Sequence, residues 1–438
     1  MSGARRAALT ALEKCRRSGA WSDAVLGSVM DAEGLNTRDR ALATALCYGV
    51  LQNRSMLEHV LQTASSRPLR KIEPKVLDIL RLSAYQLLYL DKIPPSAAVN
   101  EGVSLCRSLG FSRAAGFVNA LLRHIAAMPS LPAVSGSPAE RLSIQYSHPR
   151  WLVDSLINLL GENETEAFLR CDNAPAPVVM QVNTLRADIA EVQSLLALDR
   201  ITAERHPFLP DCLTADVTGD LRQTSAFQKG LFFVQDAAAN MAIRAAQPET
   251  MQRILDVCAA PGGKSFAAAI LSGNRAEITA CDLHEKKLAR IAAGAERLGL
   301  LIQTRAEDAS VYRSEKAGKY DLVIADVPCS GFGVIRKKPD IRYKDPSAFS
   351  GLPEIQYRIL SNVSEYVRPD GVLLYSTCTV RPEENQEIVM RFLAENPSFL
   401  PEDFTAENGC KSEEGMLQFW PQRHDTDGFF AAKLRKNR

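Results

Sequence analysis

Apolar residues recur at the 3.6-residue spacing of amphipathic helices throughout the N-terminal part of the chain, and no stretch there alternates like a strand. Proline, serine and glycine then cluster, a composition typical of an exposed connection between two cores. The pattern therefore predicts an all-α domain over residues 1–128 and a linker over 129–146. The clearest helical periods in the first domain cover 39–61, 73–90 and 97–109.

Beyond the linker, the hydrophobic pattern changes twice. A helix beginning near His148, a strand over 178–184 and a helix over 189–198 predict a small α/β segment over 147–234. Strands then alternate with helices, which is typical of a mostly parallel, doubly wound, Rossmann-like sheet over 235–438. The predicted strands are 254–257, 278–283, 301–305, 322–326 and 372–376, and the predicted helices are 265–271, 285–298, 353–367 and 382–395. Two further apolar stretches, 417–420 and 428–434, have no helix between them and predict a closing antiparallel hairpin.

Charge and composition narrow the functional classes. Residues 1–150 contain 19 Lys and Arg against 11 Asp and Glu, so this part carries +8 and the rest of the chain carries −7. Such a basic front fits a module that binds a polyanion, although a merely solvated surface is the alternative. No apolar run approaches the roughly 20 residues that cross a membrane, so we expect a cytoplasmic protein. The ten cysteines include no Cys-x-x-Cys pair, which predicts free thiols and no metal site.

One glycine-containing turn indicates a cofactor. The predicted strand at 254 continues into Ile-Leu-Asp-Val-Cys-Ala-Ala-Pro-Gly-Gly-Lys-Ser, whose small residues let backbone N–H groups approach a ligand. A Walker A loop needs glycine where Cys258 stands, and the dinucleotide pattern Gly-x-Gly-x-x-Gly is missing. Asp282 follows the next strand, where a carboxylate can accept hydrogen bonds from both ribose hydroxyls of an adenosine. The segment thus favours S-adenosylmethionine, with a helix N-cap as the structural alternative for Asp282.

Two cysteines stand at the ends of two strongly apolar strands. Cys329 lies in Asp-Val-Pro-Cys-Ser-Gly-Phe-Gly, which begins at 326, and Cys378 lies in Tyr-Ser-Thr-Cys-Thr, which begins at 375. Ligands of doubly wound sheets bind at the carboxyl ends of the strands, and neighbouring strands lie about 5 Å apart. If these strands are neighbours, both thiols face one pocket.

A thiol suits a reaction at a cytosine ring. Addition of a thiolate to C6 makes C5 nucleophilic enough to accept a methyl group, which is the general logic of covalent catalysis. Lys264 and the loop amides are candidates for stabilising the thiolate, and Asp326 for donating a proton to N3 if burial raises its pKa. A basic cluster over 336–344, including Arg342, is predicted to guide an RNA backbone, with a solvated loop as the alternative.

These motifs together closely resemble the Sun/Fmu-type RNA (cytosine-5) methyltransferases over nearly the whole chain. The matching segments are 235–236, 256–265, 326–331, 376–379 and 382–385. The helical front is similar to the antitermination factor NusB. Its matching segments are 38–42, 48–50, 97–101 and 116–123.

The resemblance implies a methyltransferase that forms a covalent adduct. In it, Cys378 is the nucleophile and Cys329 assists release of the product. The partner it implies is RNA, specifically 16S ribosomal RNA, bound by a monomer with an RNA-binding front domain and an RNA-binding α/β segment. Gln181 and the Ala residues after Asp236 depart from the family pattern and leave the target nucleotide open. The implied cofactor contacts are Cys258, Ala259, Ala260, Pro261, Gly262, Gly263, Lys264, Asp282, Asp308 and Asp326.

Two other functions remain open at this point. A transfer-RNA cytosine-5 methyltransferase would use the same chemistry and the same residues. A non-catalytic RNA-binding assembly factor would keep the methyltransferase fold without the reaction, because function depends on the site and not on the fold. The presence of both Cys329 and Cys378 argues against this second alternative.

Overall fold

The computed structural model describes residues 3–18, 22–217 and 219–438, and it divides into two compact units. The helical unit comprises Met1–Ala174 together with Ile335–Lys344. The sheet unit comprises Pro175–Val334 together with Asp345–Arg438. Among the described residues, no helix is long and apolar enough to cross a membrane.

The amphipathic helices between residues 3 and 126 of the helical unit pack around one core, as the periodicity predicts. Leu46, Leu57, Ile79 and Leu122 come from four of these helices and are fully buried. The periodic segment 39–61 forms two helices, because Asn53 leaves the helical conformation, with φ −116° and ψ 14°, and its side-chain amide also bonds the Gly49 carbonyl. The helices are α1 (Gly3–Ser18), α2 (Ser22–Ala32), α3 (Thr37–Gln52), α4 (Arg54–Ala64), α5 (Pro74–Tyr89), α6 (Pro95–Ser108), α7 (Ala115–Ala126), α8 (Pro138–Gln145), α9 (Arg150–Leu160) and α10 (Glu162–Asn173).

Part of the predicted linker is helical. Helix α8 begins with a capping box, in which Ser137 Oγ accepts from Glu140 N and Glu140 Oε2 accepts from Ser137 N at 2.9 Å. Leu142 of this helix is fully buried, so α8 is packed within the helical unit. The division of the chain into a front domain, an RNA-binding segment and a catalytic domain stays a prediction.

The segment Ile335–Lys344, which follows the Cys329 loop in the chain, belongs to the helical unit. Arg342 is only 2% exposed, and its guanidinium donates to the Gln52 carbonyl at 2.9 Å and to Asn173 Oδ1 at 2.6 Å. The prediction that this arginine guides an RNA backbone is therefore wrong. A buried guanidinium has to find its acceptors within the protein. The two terminal amino groups of Arg342 do so largely with main-chain carbonyls, whereas its Nε has no partner among the described residues.

The sheet unit contains a small antiparallel sheet and a large mixed sheet. The small sheet has the order β2-β3-β1-β4. Its elements are β1 (Val178–Val182), α11 (Ile189–Leu198), β2 (Glu204–Arg205), β3 (Cys212–Ala215), α12 (Ser225–Gln228) and β4 (Phe232–Val234). The predicted strand over 178–184 and helix over 189–198 correspond to β1 and α11.

The large sheet has the order β10-β12-β9-β8-β5-β6-β7, with β11 paired to β12. Strands β5 to β9 are parallel and β12 is antiparallel to β9, which confirms the predicted fold class. The last two strands pair antiparallel as predicted, but a helix of four residues, Pro421–His424, lies between them where none was expected. Strands β5, β6, β8 and β9 are largely buried on both faces, which explains their apolar runs, whereas the edge strand β7 is largely exposed. Its elements are α13 (Ala237–Ala245), β5 (Arg253–Asp256), α14 (Gly263–Leu271), β6 (Glu277–Asp282), α15 (Glu285–Leu298), β7 (Ile302–Ala306), β8 (Tyr320–Asp326), α16 (Leu352–Ser364), β9 (Val367–Thr377), α17 (Gln386–Glu395), β10 (Phe399–Pro401), β11 (Met416–Phe419), α18 (Pro421–His424) and β12 (Phe429–Lys436).

Candidate active site

A cavity of about 540 Å³ lies at the carboxyl ends of the parallel strands. From β5 the chain adds β6 and β7 on one side and β8 and β9 on the other, so the strand order reverses beside β5. Such a switch point leaves a crevice between the two halves of the sheet. The cavity volume is within the range of small-molecule sites. Seven residues predicted for the site line it: Cys258, Ala260, Asp282, Asp308, Asp326, Cys329 and Cys378.

The two cysteine sulfurs meet because β8 and β9 are neighbouring parallel strands. Asp326 at the end of β8 is in register with Ser376 near the end of β9, so the loops that follow start side by side. The Sγ atoms of Cys329 and Cys378 are 3.3 Å apart, and both residues are half-buried free thiols. The structure thus brings together the two thiols at one wall of the cavity.

The hydrogen bond between the sulfurs distinguishes the two thiols. The pKa of Cys329 is raised well above its usual value, first by the hydrogen bond to Cys378 and then by burial. A thiol with a raised pKa keeps its proton, so Cys329 is suited to donate that hydrogen bond and Cys378 to accept it.

Asp326 forms a second polar pair in the same wall. Its Oδ2 accepts from Lys264 Nζ at 2.6 Å, and its Oδ1 accepts from Ser376 Oγ at 2.8 Å. Lys264 is 8% exposed, and its ammonium lies 4.9 Å from the centroid of the Phe429 ring. Both carboxylate oxygens therefore act as acceptors, one for the Lys264 ammonium and one for the Ser376 hydroxyl.

The cofactor turn between β5 and α14 contributes to the cavity at two positions. Cys258 and Ala260 line it, whereas Ala259, Pro261, Gly262, Gly263 and Lys264 are outside the lining. Gly262 has a φ of +111°, and a Cβ built there would lie 2.5 Å from the ring of Phe266, so glycine is required. A hydrogen bond stabilises the turn, in which Ser265 Oγ donates to Asp256 Oδ2 at 2.7 Å.

Two carboxylates line the cavity where β6 and β7 end. Asp282 Oδ1 accepts the backbone N–H of His284 at 3.0 Å, a cap-like bond just before α15, yet the residue also faces the cavity. Asp308 accepts the N–H and hydroxyl of Ser310 at 2.8 and 2.7 Å, and these bonds lower the pKa of Asp308. Both groups are in a position to accept hydrogen bonds from a bound ligand.

Other lining residues were not predicted from the sequence. Ile355, Arg358 and Ile359 of α16 line the cavity, and they have the i, i+3, i+4 spacing of one helix face. Leu283, which follows Asp282, lines it and remains 59% exposed. The spacing was visible in the sequence, but a helix face toward a cavity and one toward a core have the same pattern.

The carboxylate acceptors and apolar side chains of the cavity suit an adenosine-bearing cofactor. Asp282 offers a carboxylate for ribose hydroxyls, and the apolar atoms of Leu283, Ile355 and Ile359 offer a surface for a base. A Rossmann-like sheet with this cavity and two converging thiols defines an S-adenosylmethionine-dependent methyltransferase. Comparison with known proteins agrees with this class.

The chain belongs to the RsmB/F family of 16S rRNA methyltransferases, whose model matches residues 243–435. A NusB family model matches residues 2–127, and a model of the ferredoxin-like domain of these methyltransferases matches residues 148–222. These matches confirm the resemblance inferred from the motifs.

Individual relatives are similar to this chain over nearly its full length. The chain is 37% identical to a probable ribosomal RNA small subunit methyltransferase B of Bacillus subtilis (strain 168), over 98% of each chain. It is 31% identical to the ribosomal RNA small subunit methyltransferase B of Cronobacter sakazakii (strain ATCC BAA-894), over 92% of each chain. Among solved structures, PH0851 is similar with a TM-score of 0.83 and 25% identity, covering 100% of this chain and 99% of that one.

Proposed function

We propose that the chain transfers a methyl group to C5 of one cytosine in 16S ribosomal RNA through a covalent bond between Cys378 Sγ and C6. The observation that carries this proposal is the 3.3 Å contact between Cys378 and Cys329 at the wall of the cofactor cavity. The names of the relatives given above describe methyltransferases of small-subunit ribosomal RNA, which supports 16S RNA as the partner. Ribosomal RNA as substrate implies a cytoplasmic location, and we expect a monomer.

The cavity residues hold the methyl donor in this proposal. Asp282 accepts hydrogen bonds from the ribose hydroxyls, Asp308 accepts from a polar group of the base, and Cys258 and Ala260 contact the donor from the turn. When bound, S-adenosylmethionine supplies an electrophilic methyl group, which C5 of the activated ring accepts. The apolar lining of Ile355 and Ile359 excludes water from that face.

We assign different roles to the two thiols, with Cys378 reacting as the thiolate and Cys329 acting as the protonated hydrogen-bond donor. Cys378 Sγ adds to C6 as the thiolate, and the electrons of the ring move toward N3 and C5. When a solvent base later takes the C5 proton, the electrons of the C5–H bond form the C5–C6 double bond, and the electrons of the C6–S bond return to the Cys378 sulfur. Cys329 S–H donates a hydrogen bond to that departing sulfur, which makes it a better leaving group and assists release of the product.

Charge that develops on N3 is met by Asp326 and Lys264 acting as one unit. The Lys264 ammonium donates to Asp326 Oδ2, so its proton can pass first to the carboxylate, which leaves a neutral amine and a carboxylic acid. The carboxylic acid then gives this proton to N3 and becomes a carboxylate again. The sequence suggested that burial alone would keep Asp326 protonated. In the present proposal, the proton comes from Lys264 instead. The target base has to leave its stack to reach the cavity, which favours single-stranded or loop RNA.

Trapping of the covalent adduct tests the assignment of the thiols. We expect Cys378→Ala to eliminate turnover while S-adenosylmethionine still binds. Cys329→Ala is expected to accumulate a denaturation-resistant protein–RNA adduct, seen as a shifted band on a denaturing gel, which the double variant Cys329→Ala/Cys378→Ala lacks. Cys410→Ala is the matched control, because this half-buried cysteine is outside the cavity lining.

Normal methylation by Cys378→Ala would reject Cys378 as the nucleophile. The site on RNA is tested separately by mapping methylated cytosines after deletion of the gene. Loss of one methylated cytosine in 16S RNA is the expected result. Loss of a methylated cytosine in transfer RNA would mean that the substrate is transfer RNA and not 16S RNA, with the same chemistry. No loss at all would favour a non-catalytic assembly factor.

A further inference from the structure

The segment Pro382–Asn385, which follows the Cys378 loop, contains two side chains that the proposed chemistry does not use. Glu384 and Asn385 are both fully buried, although each is strongly polar. A buried carboxylate is costly unless hydrogen bonds or charges compensate it. The bonds that Glu384 and Asn385 make therefore show what they stabilise.

Glu384 bonds the loop that carries Cys329. Its Oε2 accepts the backbone N–H of Ser330, the residue after Cys329, at 2.9 Å. The same oxygen accepts Gln356 Nε2 at 2.9 Å, and that amide also donates to the carbonyl of Pro328, the residue before Cys329, at 3.0 Å. The carboxylate thus fixes the loop on both sides of the cysteine, once directly and once through Gln356.

Asn385 bonds the loop that carries Cys378. Its Oδ1 accepts the hydroxyl of Thr377, the residue before Cys378, at 2.6 Å. Its Nδ2 donates to the carbonyl of Thr379, the residue after Cys378, at 3.0 Å. Nδ2 also donates to Gln418 Oε1 at 2.8 Å, which connects the asparagine to strand β11.

The two loops are also bonded to each other. The hydroxyls of Ser330 and Thr379 are 2.8 Å apart, and the N–H of Gly333 donates to the carbonyl of Cys378 at 3.0 Å. The adjacent residues Glu384 and Asn385 are therefore each bonded to the residues on both sides of one of the two cysteines, directly or through Gln356. A shift of either side chain changes the position of one sulfur relative to the other.

We infer that Glu384 and Asn385 are positioning residues, in which Glu384 sets the place of the Cys329 thiol for product release and Asn385 sets the place of the Cys378 thiol for attack on C6. This inference rests on the proposed function of the two cysteines. Neither residue touches the reacting atoms, so each acts through the loop that it bonds. Its consequence is that the two substitutions have opposite effects on the covalent adduct.

The test compares Glu384→Ala with Glu383→Ala, the same change at the neighbouring position. The side chain of Glu383 is 47% exposed, and its ion pair is with Arg381 at 3.6 Å. Glu384→Ala frees the Ser330 N–H, so release slows and the adduct accumulates, as in Cys329→Ala. Glu383→Ala leaves the adduct at the wild-type level. Glu384→Gln keeps one acceptor oxygen for the Ser330 N–H, and the adduct is intermediate.

Asn385 is tested in the Cys329→Ala background, where release is already blocked. Asn385→Ala then slows formation of the adduct by roughly 10- to 100-fold, since misplacement of a reacting group by about 1 Å has effects of this size. The Kd for RNA stays within about twofold of its starting value, because the cavity lining is unchanged. Binding of S-adenosylmethionine and the thermal melting curve identify variants that are folded.

The outcomes separate this inference from the proposed function. If Cys329→Ala forms no adduct, the proposed chemistry fails. If Cys329→Ala forms the adduct but Glu384→Ala shows only the wild-type level, or Asn385→Ala leaves its rate of formation unchanged, the positioning roles are wrong. If Glu384→Ala does not fold, Gln356→Leu replaces it, because it removes the amide that joins Glu384 to the Pro328 carbonyl. An adduct at the wild-type level in both Gln356→Leu and Glu384→Gln overturns the role of Glu384, because Gln356→Leu alone leaves the direct bond from the Ser330 N–H.

Discussion

Substitution of Asp282 tests the cofactor site independently of the cysteines. The residue is 7% exposed at the end of β6, and it lines the cavity from there. In the proposed complex its carboxylate accepts hydrogen bonds from ribose hydroxyls. Asp282→Ala removes these bonds and also the acceptor for the His284 N–H, which lies 3.0 Å away.

The expected loss of affinity follows from the charge of the acceptor. Hydrogen bonds to a charged group contribute about 1.5–3 kcal/mol, which corresponds to a roughly 10- to 150-fold increase in Kd. Asp282→Asn keeps an acceptor oxygen for His284 and for one hydroxyl but loses the charge. We therefore expect its Kd to rise by roughly tenfold or less.

Isothermal titration calorimetry with S-adenosylmethionine measures both variants without any RNA. Glu285→Ala is the matched control, because Glu285 is an exposed acid in the first turn of α15 and is outside the cavity lining. Melting curves without cofactor report the loss of the His284 bond separately. A Kd for Asp282→Ala within twofold of the wild-type value would refute the ribose contact.

Two further substitutions test the fold itself. Arg342→Ala leaves several buried carbonyls without a donor and should lower the free energy of unfolding by about 3–5 kcal/mol in urea titrations. Arg170→Ala, whose side chain is 71% exposed, should change it by less than about 0.5 kcal/mol, and equal effects would contradict the role of burial. Gly262→Ala should cost about 1–3 kcal/mol because of its φ of +111° and the nearby Phe266 ring, and an unchanged melting curve would contradict this.

The sequence was most informative where a local pattern has one structural meaning. The apolar runs that end at Asp326 and Ser376 predicted buried strands, and β8 and β9 are indeed parallel neighbours with these residues in register. Placement of Cys329 and Cys378 at the strand ends then follows from topology alone. Which sulfur attacks the base came from the family resemblance, because neighbouring strand ends are equivalent by pattern.

Features that depend on distant partners were not predictable. Glu383 and Glu384 are identical in the sequence, yet one is exposed and the other is fully buried, because only Glu384 reaches the Ser330 N–H. Arg342 belongs to a basic run that is typical of a surface loop. Its burial depends on carbonyls such as that of Gln52, 290 positions earlier in the chain, which no local pattern indicates.

Membership of Ile335–Lys344 in the helical unit has a consequence for the order of folding during synthesis. During synthesis, the first 174 residues leave the ribosomal exit tunnel well before Arg342 does. The carbonyls of Gln52 and Tyr146 therefore lack this donor in the nascent chain. The helical unit therefore reaches its final stability only after the Cys329 loop has been translated. Maturation of the two units is coupled in time, and a ribosome-bound chain that stops before residue 335 should carry an incompletely stabilised N-terminal half.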